Sequence, residues 1–212
     1  MKSYLNKIVW DNNMKVLREL PDKLVDLAIY DPPFGVGWDG QKAASGKSIR
    51  QTRKAHRQKC WDYKIPSAEC FAEIERVSKN QIIFGGNHFV EHLKPSRGWI
   101  IYDKGQRGLT MGDAEVIYST FNRPIRVLKY NRANLGKTIH PTEKPLKLIK
   151  MLIHMYAEEG DILLDPFSGS GVLAVAAYEM NHPFIAIERD PDYHKASVKR
   201  LEDVQRQGRL EL

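Results

Sequence analysis

An α/β fold, one sheet with helices on both faces, is what the sequence predicts, and three observations carry the prediction. Short apolar runs recur along the chain, separated by stretches with helical periodicity. Two of these runs end in an acid followed by proline, Asp31-Pro32 and Asp165-Pro166, which stops a strand abruptly. The chain has 212 residues, 42% of them hydrophobic, enough for one domain (1–212) with a full core.

The elements follow in order. Lys7-Ile8-Val9-Trp10 reads as a short strand, then a turn at Asp11-Asn12-Asn13 and a helix from Met14 to Leu20. Leu24 to Tyr30 (LVDLAIY) is a strand that Asp31-Pro32-Pro33 cannot continue. From there to about Lys64 the chain is rich in Gly, Ser, Gln and basic residues without periodicity, and reads as a mobile basic loop over 41–64. Ser67 is placed to cap a helix running to Val77, with Phe71, Ile74 and Val77 on one face. Gln81 to Phe84, Trp99 to Tyr102 and Ala114 to Ser119 are further strands. Pro141 to Tyr156 reads as a helix with a Leu146, Ile149, Leu152, Ile153 stripe. Asp161 to Leu164 is a strand leading into Asp165-Pro166-Phe167-Ser168-Gly169-Ser170-Gly171, followed by a helix from Val172 to Met180. Pro183 to Glu188 is the last strand, and a charged helix from about Asp192 closes the chain. Strands alternating with helices mean a sheet covered on both sides.

Charge narrows the function. Lys+Arg 33 against Asp+Glu 26 gives +7. Gln41 to Lys59 holds Lys42, Lys47, Arg50, Arg53, Lys54, Arg57 and Lys59 with no acid. Phe121 to Thr138 holds Arg123, Arg126, Lys129, Arg132 and Lys137, again without an acid. These windows carry +7 and +5, so the remainder sums to −5. Positive charge gathered in two patches on a mildly acidic body points to a polyanion partner, with solvated basic loops as the plainer reading. No run approaches the ~20 apolar residues of a membrane span, and the N-terminus lacks a signal-peptide core. Cys60 and Cys70 form no disulfide framework or zinc spacing, the histidines show no ligand spacing, and a cytoplasmic location is the expectation.

Two motifs carry chemistry. Over Asp165–Gly171 a buried strand turns through two glycines into a helix whose first turn presents unpaired N–H groups, so a ligand can approach the backbone closely. Glu188, seventeen residues past Gly171, is placed to accept hydrogen bonds from ribose hydroxyls. Gly169 to Ala174 also fits the dinucleotide pattern G-x-G-x-x-A, which keeps a nicotinamide or flavin enzyme open. Asp165 speaks against it, because an acid at the strand end repels a pyrophosphate and suits a cationic ligand. The second motif is Asp31-Pro32-Pro33-Phe34. A quartet of this type arises by chance in roughly one chain of this length in a hundred. A rigid strand-ending turn would explain the prolines but not an acid at the carboxyl edge of the sheet, where open α/β folds place their sites. A carboxylate, a Pro32 carbonyl held in a fixed direction and a flat ring can hydrogen-bond an exocyclic amino group and stack on the ring bearing it.

At this point the sequence resembles the amino-methylating DNA methyltransferases, which transfer the methyl group of S-adenosylmethionine to adenine N6 or cytosine N4. Asp31-Pro32-Pro33-Phe34 resembles their catalytic tetrad, and Asp165 to Gly171 their cofactor loop. His140-Pro141-Thr142-Glu143-Lys144-Pro145 resembles the segment that caps the methionine end of the cofactor. Gln81 to Phe89 and Asp103-Lys104 resemble further family blocks. The tetrad precedes the cofactor loop, the order of the beta group. The resemblance therefore implies a circularly permuted, Rossmann-like methyltransferase sheet with one antiparallel strand, in which Ile8 to Trp10 supplies the family's third strand and Asp11 lies near the cofactor adenine.

The resemblance implies roles residue by residue. Asp31, Pro32, Pro33 and Phe34 would be catalytic. Asp11, Asp31, His140, Thr142, Lys144, Asp165, Phe167, Ser168, Gly169, Ser170, Gly171 and Glu188 would hold S-adenosylmethionine. Lys47, Arg50, Arg53, Lys54, Arg57, Arg123, Arg126 and Arg132 would contact double-stranded DNA, and no metal is implied. Two departures stand out. The tetrad ends in Phe where the family more often has Tyr, which keeps stacking and loses a hydroxyl. The segment 121–139, where target recognition belongs, is short, so either recognition is minimal, or the 41–64 loop shares it, or a second subunit in a homodimer helps.

An Asp-led tetrad leans by resemblance to adenine N6, with cytosine N4 as the alternative. RNA adenine methylation runs against the beta-group order. A catalytically silent nucleic-acid-binding relative runs against the intact Asp31 and Asp165.

Overall fold

The computed structural model describes residues 4–37, 62–105, 107, 112–130, 139–140 and 142–210. Eight strands form one sheet in the order β1-β8-β7-β2-β3-β5-β4-β6. They are β1 (Lys7–Trp10), β2 (Val25–Tyr30), β3 (Ser78–Phe84), β4 (Ile100–Asp103), β5 (Ala114–Ser119), β6 (Arg126–Lys129), β7 (Leu163–Asp165) and β8 (Phe184–Glu188). The pairs β1–β8, β8–β7, β7–β2, β2–β3 and β4–β6 are parallel, whereas β5 runs antiparallel to both β3 and β4. The single antiparallel strand matches expectation, and the first strand of the chain lies at the sheet edge beside the last.

Among the described residues, five α-helices cover the sheet: α1 (Asn13–Glu19), α2 (Ala68–Val77), α3 (Leu146–Tyr156), α4 (Val172–Glu179) and α5 (Pro191–Leu210). Strand alternation sends Ile185 and Ile187 to the α1/α2 face and Phe184 and Ala186 to the α3/α4 face. β2 divides likewise, with Leu27 and Ile29 on one side and Ala28 and Tyr30 on the other. A central parallel strand buried on both faces reads as a continuous apolar run, which is why β2 was visible in the sequence. Each fully buried Leu, Ile or Phe of these two layers contributes on the order of 1.5–3 kcal/mol. Helix α4 is buried from Val172 through Ala177, its alanines letting α3 and α5 approach from either side.

Local chemistry sets the boundaries. Asn12 caps α1 by accepting from Met14 N, and Ser67 caps α2 by accepting from Cys70 N. Asp190 caps α5, its Oδ1 accepting from Asp192 N and Tyr193 N, with Pro191 at the first helical position.

Two readings need correction. Helix α3 begins at Leu146 rather than Pro141, because Pro145 disfavours helical geometry at Lys144, and Glu143 N instead closes a turn onto His140 O at 3.2 Å. The second basic window contains strand β6, hidden because only Leu128 of its four residues is buried. Residues 41–61 of the expected 41–64 loop and 131–138 of the expected 121–139 recognition segment lie outside the described residues. No helix among the described residues is long and apolar enough to cross a membrane.

Candidate active site

The parallel strands deliver their carboxyl ends to one edge of the sheet, and acids gather there. Along that edge stand Asp11 after β1, Glu188 ending β8, Asp165 ending β7 and Asp31 after β2. Lys104 follows β4, which runs with them, and the antiparallel β5 brings its start, Glu115, to the same edge. A cleft of about 1200 Å³ runs along it and is lined by all six of these residues.

The Asp165–Gly171 turn closes on itself. Phe167 N donates to Asp165 Oδ1 at 3.0 Å, Ser168 N to Ile187 O at 2.9 Å and Gly171 N to Ser168 O at 2.8 Å. Gly171 has φ +72°, and a Cβ there would stand 2.8 Å from Ser197 Cβ, so α5 packs where a side chain would be. Glu188 serves this turn directly: Oε2 accepts from Gly169 N at 2.7 Å and Oε1 from Asp190 N at 2.7 Å. Asp165 is fully enclosed, and burial pushes its carboxyl up to about 8 despite the Phe167 N–H, with Asp31 and Glu188 adding to the rise. Burial also raises Glu188. The Ser168 hydroxyl is buried without a hydrogen-bond partner among the described residues.

His140 and residues 142–145 lie beside this turn, the His140 ring 3.6 Å from where a Gly169 Cβ would stand. Thr142 Oγ1 lies 3.1 Å from His140 Nδ1, and the His140 ring meets the edge of Tyr193 at 4.5 Å between centroids. Arg200 of α5 ties the segment down, donating to Glu143 Oε1 at 3.0 Å and to Ser170 O at 3.3 Å.

Lys144 lines the cleft among acids. Its ammonium is buried 2.6 Å from Asp31 Oδ2 and 3.3 Å from Glu115 Oε2. It stands 5.7 Å from the Phe34 centroid and 5.0 Å from that of Phe84. Burial alone would lower its pKa, but Asp31 and Glu115 outweigh burial and hold it above the ordinary lysine value. Phe34 stacks at 4.7 Å and 9° on His88 and covers Gly85, where a Cβ would meet its Cε1 at 2.4 Å.

Asp11 lines the cleft while pairing with Lys15 at 2.7 Å. Pro32, Pro33 and Phe167 line it as well. Among the basic residues, Arg123 donates to Met155 O at 2.6 Å and lies over the Phe121 and Tyr156 rings, while Arg126 is exposed on the edge strand β6. Lys47, Arg50, Arg53, Lys54, Arg57 and Arg132 fall outside the described residues. Sequence reasoning missed Asp62, Glu115, Tyr193 and Arg200, and included His88 only as part of the Gln81 to Phe89 block, without a role. Glu115 left a signal, an acid near the start of an apolar strand.

The chain is similar to known proteins. The DNA methylase family model N6_N4_Mtase matches residues 39–199. The type II methyltransferase M.HindIII of Haemophilus influenzae is 40% identical over 75 residues, 35% of this chain and 24% of that protein. The type II methyltransferase M2.DpnII of Streptococcus pneumoniae is 44% identical over 63 residues, 30% of this chain and 24% of that protein. The matched stretch thus spans about a quarter of each of these relatives. Among solved structures, the M1.HpyAVI–SAM complex superposes with a TM-score of 0.59 at 21% identity, covering 92% of this chain and 98% of that one. PvuII DNA methyltransferase, described as cytosine-N4-specific, gives 0.62 at 12% identity, covering 95% and 91%. These structural likenesses show the fold, a Rossmann-like methyltransferase sheet.

The residues present fit S-adenosylmethionine, the family's cofactor. A sulfonium and an ammonium suit the buried Asp165, whose proton they would displace, and the Ser168 hydroxyl awaits a polar partner. With the family model covering most of the sequence, the chain belongs to the DNA methylase family, the S-adenosylmethionine-dependent amino-methyltransferases of adenine N6 and cytosine N4.

Proposed function

We propose that this chain is a DNA methyltransferase that methylates an exocyclic amino nitrogen of a flipped-out base in double-stranded DNA, adenine N6 ahead of cytosine N4. The observation that carries the reading is the meeting of two motifs. Asp31 and the Asp165–Gly171 turn, at the ends of neighbouring strands β2 and β7, open on one cleft.

When bound, S-adenosylmethionine supplies an electrophilic methyl group on a sulfonium centre. The chain's residues must make an unwilling nitrogen attack it. An exocyclic amino nitrogen is a poor nucleophile because its lone pair is delocalised into the ring. Hydrogen bonds from its two N–H groups to the Asp31 carboxylate and the Pro32 carbonyl pull it toward tetrahedral geometry and free the lone pair. Positioning for in-line transfer and the fixed charge of Asp31 lower the barrier. The nitrogen loses a proton after transfer, to Asp31 or to water. Phe34, stacked on His88 and lining the cleft, is the ring on which the turned-out base would lie. The Asp-led tetrad favours adenine by resemblance. The basic windows hold the phosphates while the base is turned out.

The test is direct. Labelled S-adenosylmethionine and duplex DNA are incubated with the chain, and the DNA is hydrolysed and its bases separated. N6-methyladenine is the expected product; N4-methylcytosine would move the assignment to the alternative, and an unlabelled digest would overturn the activity. Asp31→Ala is expected to abolish transfer while leaving the fold intact. Residual activity within about tenfold of the parent, ~1.4 kcal/mol in barrier, would remove Asp31 from its role.

A further inference from the structure

Glu115 is a half-buried acid in the cleft, its Oε2 shielded from solvent, for which the transfer chemistry has no direct use. It stands second in β5, opposite Tyr102 of β4, and reaches the cleft only because β5 runs against its neighbours. Its Oε1 lies 3.0 Å from Lys104 Nζ and its Oε2 3.3 Å from Lys144 Nζ. Lys144 continues to Asp31 Oδ2 at 2.6 Å. Four side chains from four segments thus form one row of alternating charge, Lys104–Glu115–Lys144–Asp31, two positive and two negative.

A lysine ammonium is a point charge on a flexible stem, and one partner alone does not fix it. Held only by Asp31, it would sit wholly on that carboxylate and compete with any amino group offered there. Held on both sides, it is shared, and Asp31 keeps acceptor strength for a neutral N–H.

We infer that Glu115 is a positioning residue that anchors the Lys144 ammonium from the side opposite Asp31, with Lys104 balancing its charge, so that Asp31 keeps its orientation and its capacity to accept from the target amino group. The inference rests on the reading of Asp31 given above. Glu115 acts through Lys144 and does not touch the base. Removing it leaves two buried ammonium groups facing one carboxylate, which displaces Lys144 and turns Asp31 with it.

The experiment measures single-turnover methyl transfer, S-adenosylmethionine affinity by calorimetry and melting temperature for Glu115→Gln, Lys144→Met, their double variant and Asp31→Ala. Glu115→Gln is expected to slow transfer about a hundredfold, the scale of a misplaced reacting group, while leaving cofactor affinity within about threefold. The double variant is expected to be no slower than Lys144→Met alone, because both changes break the same link. Should Glu115→Gln fail to fold, the charge-balanced Glu115→Gln/Lys104→Gln pair takes its place with the same expected loss. A transfer rate near that of the parent, or losses that add in the double variant, overturns the inference. If Asp31→Ala itself remains active, the failure lies with the proposed reaction; if Asp31→Ala is inactive and Glu115→Gln unimpaired, only the role of Glu115 falls.

Discussion

The carboxylate of Asp62 reaches back across 28 residues to the turn after β2, where its Oδ1 accepts the backbone N–H of Phe34 at 2.7 Å and of Gly35 at 3.0 Å. Its own carbonyl accepts from Gly37 N at 2.8 Å. The turn that carries Asp31 and Phe34 is therefore held from the far side of the basic stretch. Asp62→Ala should leave two N–H groups without their acceptor, a cost of about 1–3 kcal/mol in stability. Transfer should fall about tenfold or more as Phe34 loosens, with cofactor affinity intact. Asp62→Asn keeps an acceptor oxygen and should recover most of the rate. An Ala variant with unchanged turnover and melting temperature would make the contact incidental.

How much of this was legible in the sequence depends on distance along the chain. β2 and the Asp31 and Asp165 turns were visible because each is a local event, an apolar run ended by an acid and a proline or glycine. Lys144 was visible as a motif residue, but its partner was not, since Asp31 lies 113 residues away and only the strand order brings them together. Asp62 and Glu115 act through pairing across the fold and leave no periodic trace. β6 was hidden for a different reason: as an edge strand with one buried residue it carries the composition of a loop.

Phe34 and Gly85 should behave as one unit. Phe34→Ala is expected to retain cofactor binding and to lose about 1–3 kcal/mol of base stacking. Phe34→Tyr should be tolerated. Gly85 combines φ +67° with the Phe34 ring lying 2.4 Å from where a Cβ would stand, so Gly85→Ala must push the ring aside. Transfer by Gly85→Ala should then resemble that of Phe34→Ala, and combining the two should slow it little further. Independent, additive losses would show that the ring packs the core instead of facing substrate.

The two acid-free basic windows hold twelve Lys and Arg. If they grip phosphates, log affinity for duplex DNA should fall linearly with log salt, by about 0.9 per phosphate neutralised. Replacing Arg50, Arg53 and Arg57 with Gln should weaken binding to all sequences alike and flatten that slope by up to about 3 units. An unchanged slope would make the stretch a solvated loop. Weakening at one target sequence alone would make it the reading element.

Asp165 makes cofactor binding and stability depend on pH in opposite ways. Its pKa moves from an ordinary 3.8 to about 8 in the folded chain, because burial disfavours the carboxylate. Between those values the folded chain keeps a proton that the unfolded chain has lost. Folding is therefore favoured at the acid end of this window and weakens as pH rises, by up to about 1.4 kcal/mol per unit from this group alone. Glu188, raised in the same direction, adds to the trend. Asp165→Asn removes the charge and should lose less melting temperature than the parent between pH 6 and pH 8. A cation bound beside Asp165 reverses the preference, since it stabilises the carboxylate. Binding S-adenosylmethionine near pH 7 should then release a proton, seen as a calorimetric heat that varies with the ionisation enthalpy of the buffer. In Asp165→Asn that buffer dependence should fall away and affinity should weaken. A parent whose binding heat is the same in every buffer would mean that Asp165 does not meet the cationic end of the cofactor.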